Sequence, residues 1–114
     1  MDIMDIKKKI GQRIRRLRIM MKLSQGELAE RSGLGIETIS RMERGVQGLT
    51  LDNLYKISKG MNISLKELID IDKKEEELYE DMITKEIFSI LNDSSFTIKL
   101  FILETLKLMK RLQI

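Results

Sequence analysis

The 114 residues are 42% hydrophobic and 34% charged with a formal charge of +3, the composition of a charge-rich helical protein built as one domain, or one small domain plus an oligomerisation element. There is no Cys and no His, which excludes disulfides, a thiolate nucleophile, a Cys-based zinc site and the commonest general base, so no enzyme, metal or cofactor is expected. No proline interrupts a helix and no apolar run is long enough to span a bilayer, so no membrane contact and a cytoplasmic location are expected.

Residues 1–5 are expected to fray. A first helix runs from about Ile6 to Lys22, with Ile10, Ile14, Leu17 and Met21 as one apolar stripe. Lys7, Lys8, Lys9, Arg13, Arg15, Arg16 and Lys22 are left for the remaining surface. Ser24 can cap a second helix, and Glu27 can reach back to complete a capping box. Leu28 and Ala29 give this helix a small inward face, and Gly33 falls where a left-handed backbone ends a helix. A third helix begins after Leu34-Gly35. Ile39 and Met42 share its inner face, Glu37, Thr38 and Arg41 point elsewhere, and Gly45 stops it. A short helix of small residues followed by a short polar one is the pattern of a helix-turn-helix, whose second helix can enter the DNA major groove.

After a loop at Val46–Leu49, Thr50 can cap a fourth helix over Leu51–Lys59. Leu51, Leu54, Tyr55 and Ile57-Ser58 would form its core face, and Gly60 its end. Ser64 and Glu67 form a second capping box, opening a fifth helix in which Leu65, Leu68 and Ile69 pack inward. The charged stretch from Asp70 to Glu77 lacks apolar periodicity at its start and reads as a boundary. It runs into a sixth helix with a stripe of Leu78, Met82, Ile83, Ile87 and Leu91. Asn92–Ser95 is a turn, and Ser95 caps a seventh helix from Phe96 to about Leu112.

The seventh helix places Ile98, Phe101, Ile102, Leu106, Met109 and Leu112 on one broad face, with Leu100, Leu103 and Leu108 off its centre. A helix apolar over most of its circumference is normally buried. A hairpin with the sixth helix would cover one side. A second copy of the chain is expected to cover the other, with packing onto the first domain as the alternative. The pattern therefore predicts an all-α protein: five helices over residues 6–70, then a two-helix hairpin over residues 73–114 that dimerises through Phe101, Ile102, Leu106 and Met109. Charge divides in the same place. Residues 1–69 hold 14 Lys and Arg against 8 Asp and Glu, and residues 70–114 hold 7 against 10. A polyanion is the expected partner of the first part.

The run Leu23-Ser24-Gln25-x-Glu27-Leu28-Ala29, then Gly33, then Ile39-Ser40-x-x-Glu43-x-Gly45, resembles the Cro/CI-type (XRE-type) helix-turn-helix regulators of phages and bacteria over about residues 8–70. The resemblance implies a lambda-repressor-like domain that binds double-stranded DNA, and a transcriptional regulator, expected to be a dimeric repressor on a palindromic operator. It also implies that Arg18 pairs with Glu43, fixing the third helix against the first. The layout is similar to SinR-type regulators, which implies self-association through the C-terminal helices and an antagonist protein as a possible partner.

In such a domain the first turn and outer face of the third helix read base edges: Gly35, Ile36, Glu37, Thr38 and Arg41. Arg41 can bond a guanine twice, Glu37 can accept from a cytosine amino group, and Ile36 or the Thr38 methyl can pack on a thymine methyl. Family members often carry glutamine near positions 36 and 37, so Ile36 and Glu37 imply a different target. Phosphate contacts are expected from Gln25, Arg44, Gln47 in the following loop, and Arg13. The competing expectation is a protein-interaction module on the same fold, like the multiprotein bridging factors.

Overall fold

Asp2 starts the first helix earlier than the apolar stripe predicts. Its carboxylate accepts the Met4 N–H at 3.4 Å, so residues 3–5 are helical rather than frayed. The computed structural model describes residues 2–114, and the expectation for Met1 lies outside them. In chain order the helices are α1 (Ile3–Met20), α2 (Gln25–Ser32), α3 (Ile36–Glu43), α4 (Leu51–Met61), α5 (Leu65–Ile69), α6 (Glu75–Asp93) and α7 (Phe96–Arg111). No strand occurs among the described residues, so the chain is all-α as its pattern predicts.

The first five helices close around Ile14, Leu17, Leu28, Ile39, Met42, Ile57 and Leu68, all fully buried. Burying each aliphatic side chain of this kind stabilises the fold by about 1.5–3 kcal/mol. α3 packs on α1 and α2, α2 packs on α4, and α5 lies against α4 and α1. Two glycines inside helices permit close crossings. A Cβ at Gly11 would stand 2.4 Å from the Met42 carbonyl oxygen, so α1 meets the end of α3 backbone to backbone. A Cβ at Gly60 would stand 3.2 Å from the Ser32 backbone nitrogen. Gly60 therefore does not end α4. It sits inside the helix where the end of α2 crosses, and Asn62, with φ of 58°, provides the left-handed cap two residues later.

Three residues expected in the core are not there. The buried stripe of α4 is Leu54, Ile57, Ser58 and Met61. Tyr55 falls one position round the helix from it and is 50% exposed, with the Lys59 ammonium 5.4 Å from its ring centroid. Leu51 lies in the first turn, past the end of the contact with α2, and is 70% exposed. Ile69 ends α5 and is exposed, while Leu68 alone of that helix is buried.

The chain divides into two compact units, one ending at Asp81 and the other running from Met82 to Ile114. The division falls inside α6, not at residues 70–73. The physical reason is that the first turns of α6 are bound into the first unit. Leu78 is fully buried, Glu75 forms an ion pair with Arg16 at 3.6 Å, and Lys73 meets Asp81 at 2.6 Å. Asp81 raises the Lys73 ammonium above its ordinary pKa.

In the second unit, Ser94 donates its hydroxyl proton to the Ile90 carbonyl at 2.7 Å and Ser95 accepts the Ile98 N–H at 3.3 Å. The predicted turn thus narrows to Ser94–Ser95. No residue of α7 is buried: the expected cover from α6 is not present, and Phe101 is 71% exposed.

Candidate nucleic-acid interface

The geometry of the interface begins at Ser24. Its hydroxyl accepts the Glu27 N–H and its own N–H is accepted by Glu27 Oε1, both at 3.0 Å, which fixes where α2 starts. The Ser24 backbone N–H, and then its side chain, hold the Glu27 carboxyl below the usual glutamate pKa; Arg31 adds to this, while burial opposes it. At the other end Gly33, with φ of 70°, lets the Leu34 N–H turn back to the Ala29 carbonyl at 3.0 Å. Gly35 then enters α3 in an extended conformation. The two turns fix α2 and α3 as a helix-turn-helix.

α3 is anchored by its buried residues Ile39, Met42 and Glu43. Glu43 is the hub. Arg18 Nε donates to Glu43 Oε2 at 2.6 Å, Arg18 Nη2 donates to Oε1 at 3.0 Å, and Gln25 Nε2 donates to the same Oε1 at 3.1 Å. Arg18 Nη1 donates to the Leu23 carbonyl at 2.9 Å. The ion pair is thus bidentate, buried and fully hydrogen-bonded, the condition under which a buried pair is held firmly. It ties the end of α3 to α1 and to the first residue of α2.

With its inner face so fixed, α3 presents Ile36, Glu37 and Arg41 to solvent, and Thr38 half-buried beside them. Arg41 Nη2 lies 3.5 Å from Glu37 Oε2, an exposed pair one helical turn apart. Thr38, Arg41, Gln47, Gly48 and Asn53 line a cleft of about 160 Å³ between α3 and the start of α4. Arg44 is exposed, its Nε donating to the Ser40 carbonyl at 3.3 Å. Gln25 is half-buried, its amide engaged with Glu43.

Arg13 is placed otherwise than expected. It is 1% exposed. Its Nε donates to the Leu68 carbonyl at 2.9 Å, its Nη2 to the Glu67 carbonyl at 2.8 Å, and its Nη1 to the Lys73 carbonyl. A guanidinium whose donors are spent on three main-chain carbonyls inside the protein cannot meet phosphate, so Arg13 leaves the set of contact residues. Asn53, which the sequence pattern does not single out, lines the cleft beside Thr38 and Arg41. A polar residue in the first turn of a helix reads as ordinary surface, and nothing in its spacing marks it.

No group of His, Cys, Asp and Glu able to hold a metal ion occurs among the described residues, and no helix among them is long and apolar enough to cross a membrane.

A helix-turn-helix family model matches residues 14–68. The chain is similar to control protein C.BamHI of Bacillus amyloliquefaciens, with 39% identity over 61 residues that span 53% of this chain and 75% of that protein. Among solved structures it is similar to the restriction-modification controller protein C.AhdI from Aeromonas hydrophila. The identity is 39% and the TM-score 0.53, covering 56% of this chain and 96% of that one. It is also similar to a chain of the SinR protein/SinI protein complex, at 27% identity and a TM-score of 0.53, covering 90% of this chain and 98% of that one.

Proposed function

The chain belongs to the Cro/CI-type (XRE-type) helix-turn-helix family, and from that premise we propose how it works as a sequence-specific DNA-binding transcriptional regulator. Its family is one of DNA-binding regulators rather than of enzymes. The chain acts as a dimeric repressor in the cytoplasm, each copy setting α3 into the major groove of one half of a palindromic operator. The observation that carries this is the exposed row Ile36, Glu37, Arg41 on a helix whose opposite face is fixed by Ile39, Met42 and the buried Arg18–Glu43 pair.

Base edges are read by Ile36, Glu37, Thr38 and Arg41, with Arg41 on a guanine and Glu37 on a cytosine amino group. The Arg41–Glu37 pair must open for this. A carboxylate on the groove face is repelled by phosphates unless a base donates to it, so Glu37 penalises sequences that offer no amino group there. Gln25, Arg44 and Gln47 hold the backbone on either side.

The dimer forms through α7, by Phe101, Ile102, Leu106 and Met109. Its apolar length is uncovered in one copy, and charge favours a second copy. α6 carries seven Asp and Glu against one Lys, and α7 carries four Lys and Arg against one Glu, so α7 of one chain suits α6 of the other. The likeness to a chain of the SinR protein/SinI protein complex supports an antagonist protein as a further partner.

The test is selection from a random duplex library with full-length protein at about 0.15 M salt, where non-specific phosphate binding is weak. The expected outcome is enrichment of a palindrome with half-site centres about one helical turn apart. Arg41→Ala should then cost about 1–3 kcal/mol on that duplex and relax the choice of base at one position per half-site. A folded protein that enriches nothing would overturn the reading.

A further inference from the structure

The loop joining α3 to α4 is held by one side chain. Thr50 caps α4 by accepting the Asn53 N–H at 3.2 Å. Asn53 then turns its side-chain amide back and donates to the Gly48 carbonyl at 2.9 Å. Only the NH₂ end of the amide can serve a carbonyl, so the chemistry fixes which way the group points. Gly48 has φ of 84°, and a Cβ there would stand 3.1 Å from Met42 Cγ and 3.5 Å from Thr38 Cγ2. The loop is therefore pressed onto α3, and Asn53 keeps its carbonyl engaged.

The cleft this closes is lined by Thr38, Arg41, Gln47, Gly48 and Asn53. The lining holds a guanidinium, a hydroxyl and two primary amides, and no carboxylate. That donor set suits an oxygen of a phosphodiester. A peptide carbonyl free to rotate into the same cleft would repel it.

We propose that Asn53 is a positioning residue for the DNA backbone: by holding the Gly48 carbonyl it shapes the loop so that Gln47 closes on one phosphate of the duplex, beside the Arg41 that reads a base. This rests on the reading that α3 enters the major groove. Asn53 acts through the loop and carries no sequence information of its own.

The experiment uses full-length protein and the duplex enriched by selection, in versions that each carry one neutral methylphosphonate in place of a phosphate. For the wild type, one position beside each half-site is expected to weaken binding about fivefold to tenfold when neutralised, the loss of one charge-assisted contact. Asn53→Ala should weaken binding to the unmodified duplex by a similar factor, abolish the penalty at that position and leave the others. Gln47→Ala should abolish the same penalty. Asn53→Asp keeps the shape and suits the first turn of a helix, so it folds even if Asn53→Ala does not. It lacks the donor and should behave as Asn53→Ala.

If Asn53→Asp binds more weakly but keeps every positional penalty, Asn53 serves only the fold and the inference is overturned. If the wild type enriches a duplex yet shows no sensitive position, the phosphate subsite is absent. If the wild type enriches no duplex, the failure belongs to the groove-reading itself.

Discussion

Replacing Arg18 with Met leaves the Glu43 carboxylate buried with Gln25 as its one remaining hydrogen-bonding partner at the pair. The expected cost is about 3–5 kcal/mol, read as a lower urea midpoint. The double variant Arg18→Met/Glu43→Leu removes both charges and should recover most of that loss, because a buried pair exchanged for apolar groups is often neutral. A double variant as unstable as the single would show that the pair contributes beyond cancelling its own burial. The pairing was open to the sequence only by family likeness, since residues 25 apart show no periodic relation. Arg13 was not legible at all. Its partners are main-chain carbonyls 54 to 60 residues away, and no side-chain pattern marks a carbonyl as an acceptor.

The helices were legible in kind and, for the most part, in place, because caps and spacing are local. Ser24, Thr50, Ser64 and Ser95 each cap the helix their position predicts. The misjudged ends are those where a neighbouring element decides. Gly60 stays helical because α2 needs the room, and glycine is what permits the approach. The tighter case is Gly11, whose added Cβ would meet the Met42 and Glu43 carbonyl oxygens at 2.4 and 2.7 Å. These are backbone atoms that cannot swing aside, so Gly11→Ala must push α1 away from the end of α3. The expected loss is about 1–3 kcal/mol in urea unfolding, despite the better helix propensity of alanine. DNA affinity should fall as well, because the Arg18–Glu43 distance depends on that crossing. An alanine variant as stable as the wild type would show that the crossing yields.

At the scale of the whole molecule the sequence pattern placed the boundary near residue 70, because charge and periodicity change there. The structure divides at Asp81/Met82, since Leu78 and the Lys73 carbonyl belong to the first unit. A chain cut at residue 70 would strip Arg13 of the Lys73 carbonyl and the core of Leu78, so it should be less stable in urea than one cut after Asp81. The apolar length of α7 was legible, and self-association through it is the proposal to test. Phe101→Glu places a charge in the centre of the proposed self-association surface. It should convert the protein to a monomer in sedimentation equilibrium, and weaken operator binding at least tenfold, since two half-sites are no longer bound as one. A variant that remains dimeric would move the interface elsewhere.

The Arg13 clamp also sets an order of events during synthesis. α1 is made before α5 and α6 and leaves the ribosome with the three donors of Arg13 open to water. α5 has five residues and is too short to persist alone. Its last carbonyls, and that of Lys73, are the ones Arg13 binds. α1 therefore completes its hydrogen bonding only when the segment leading into α6 has been translated.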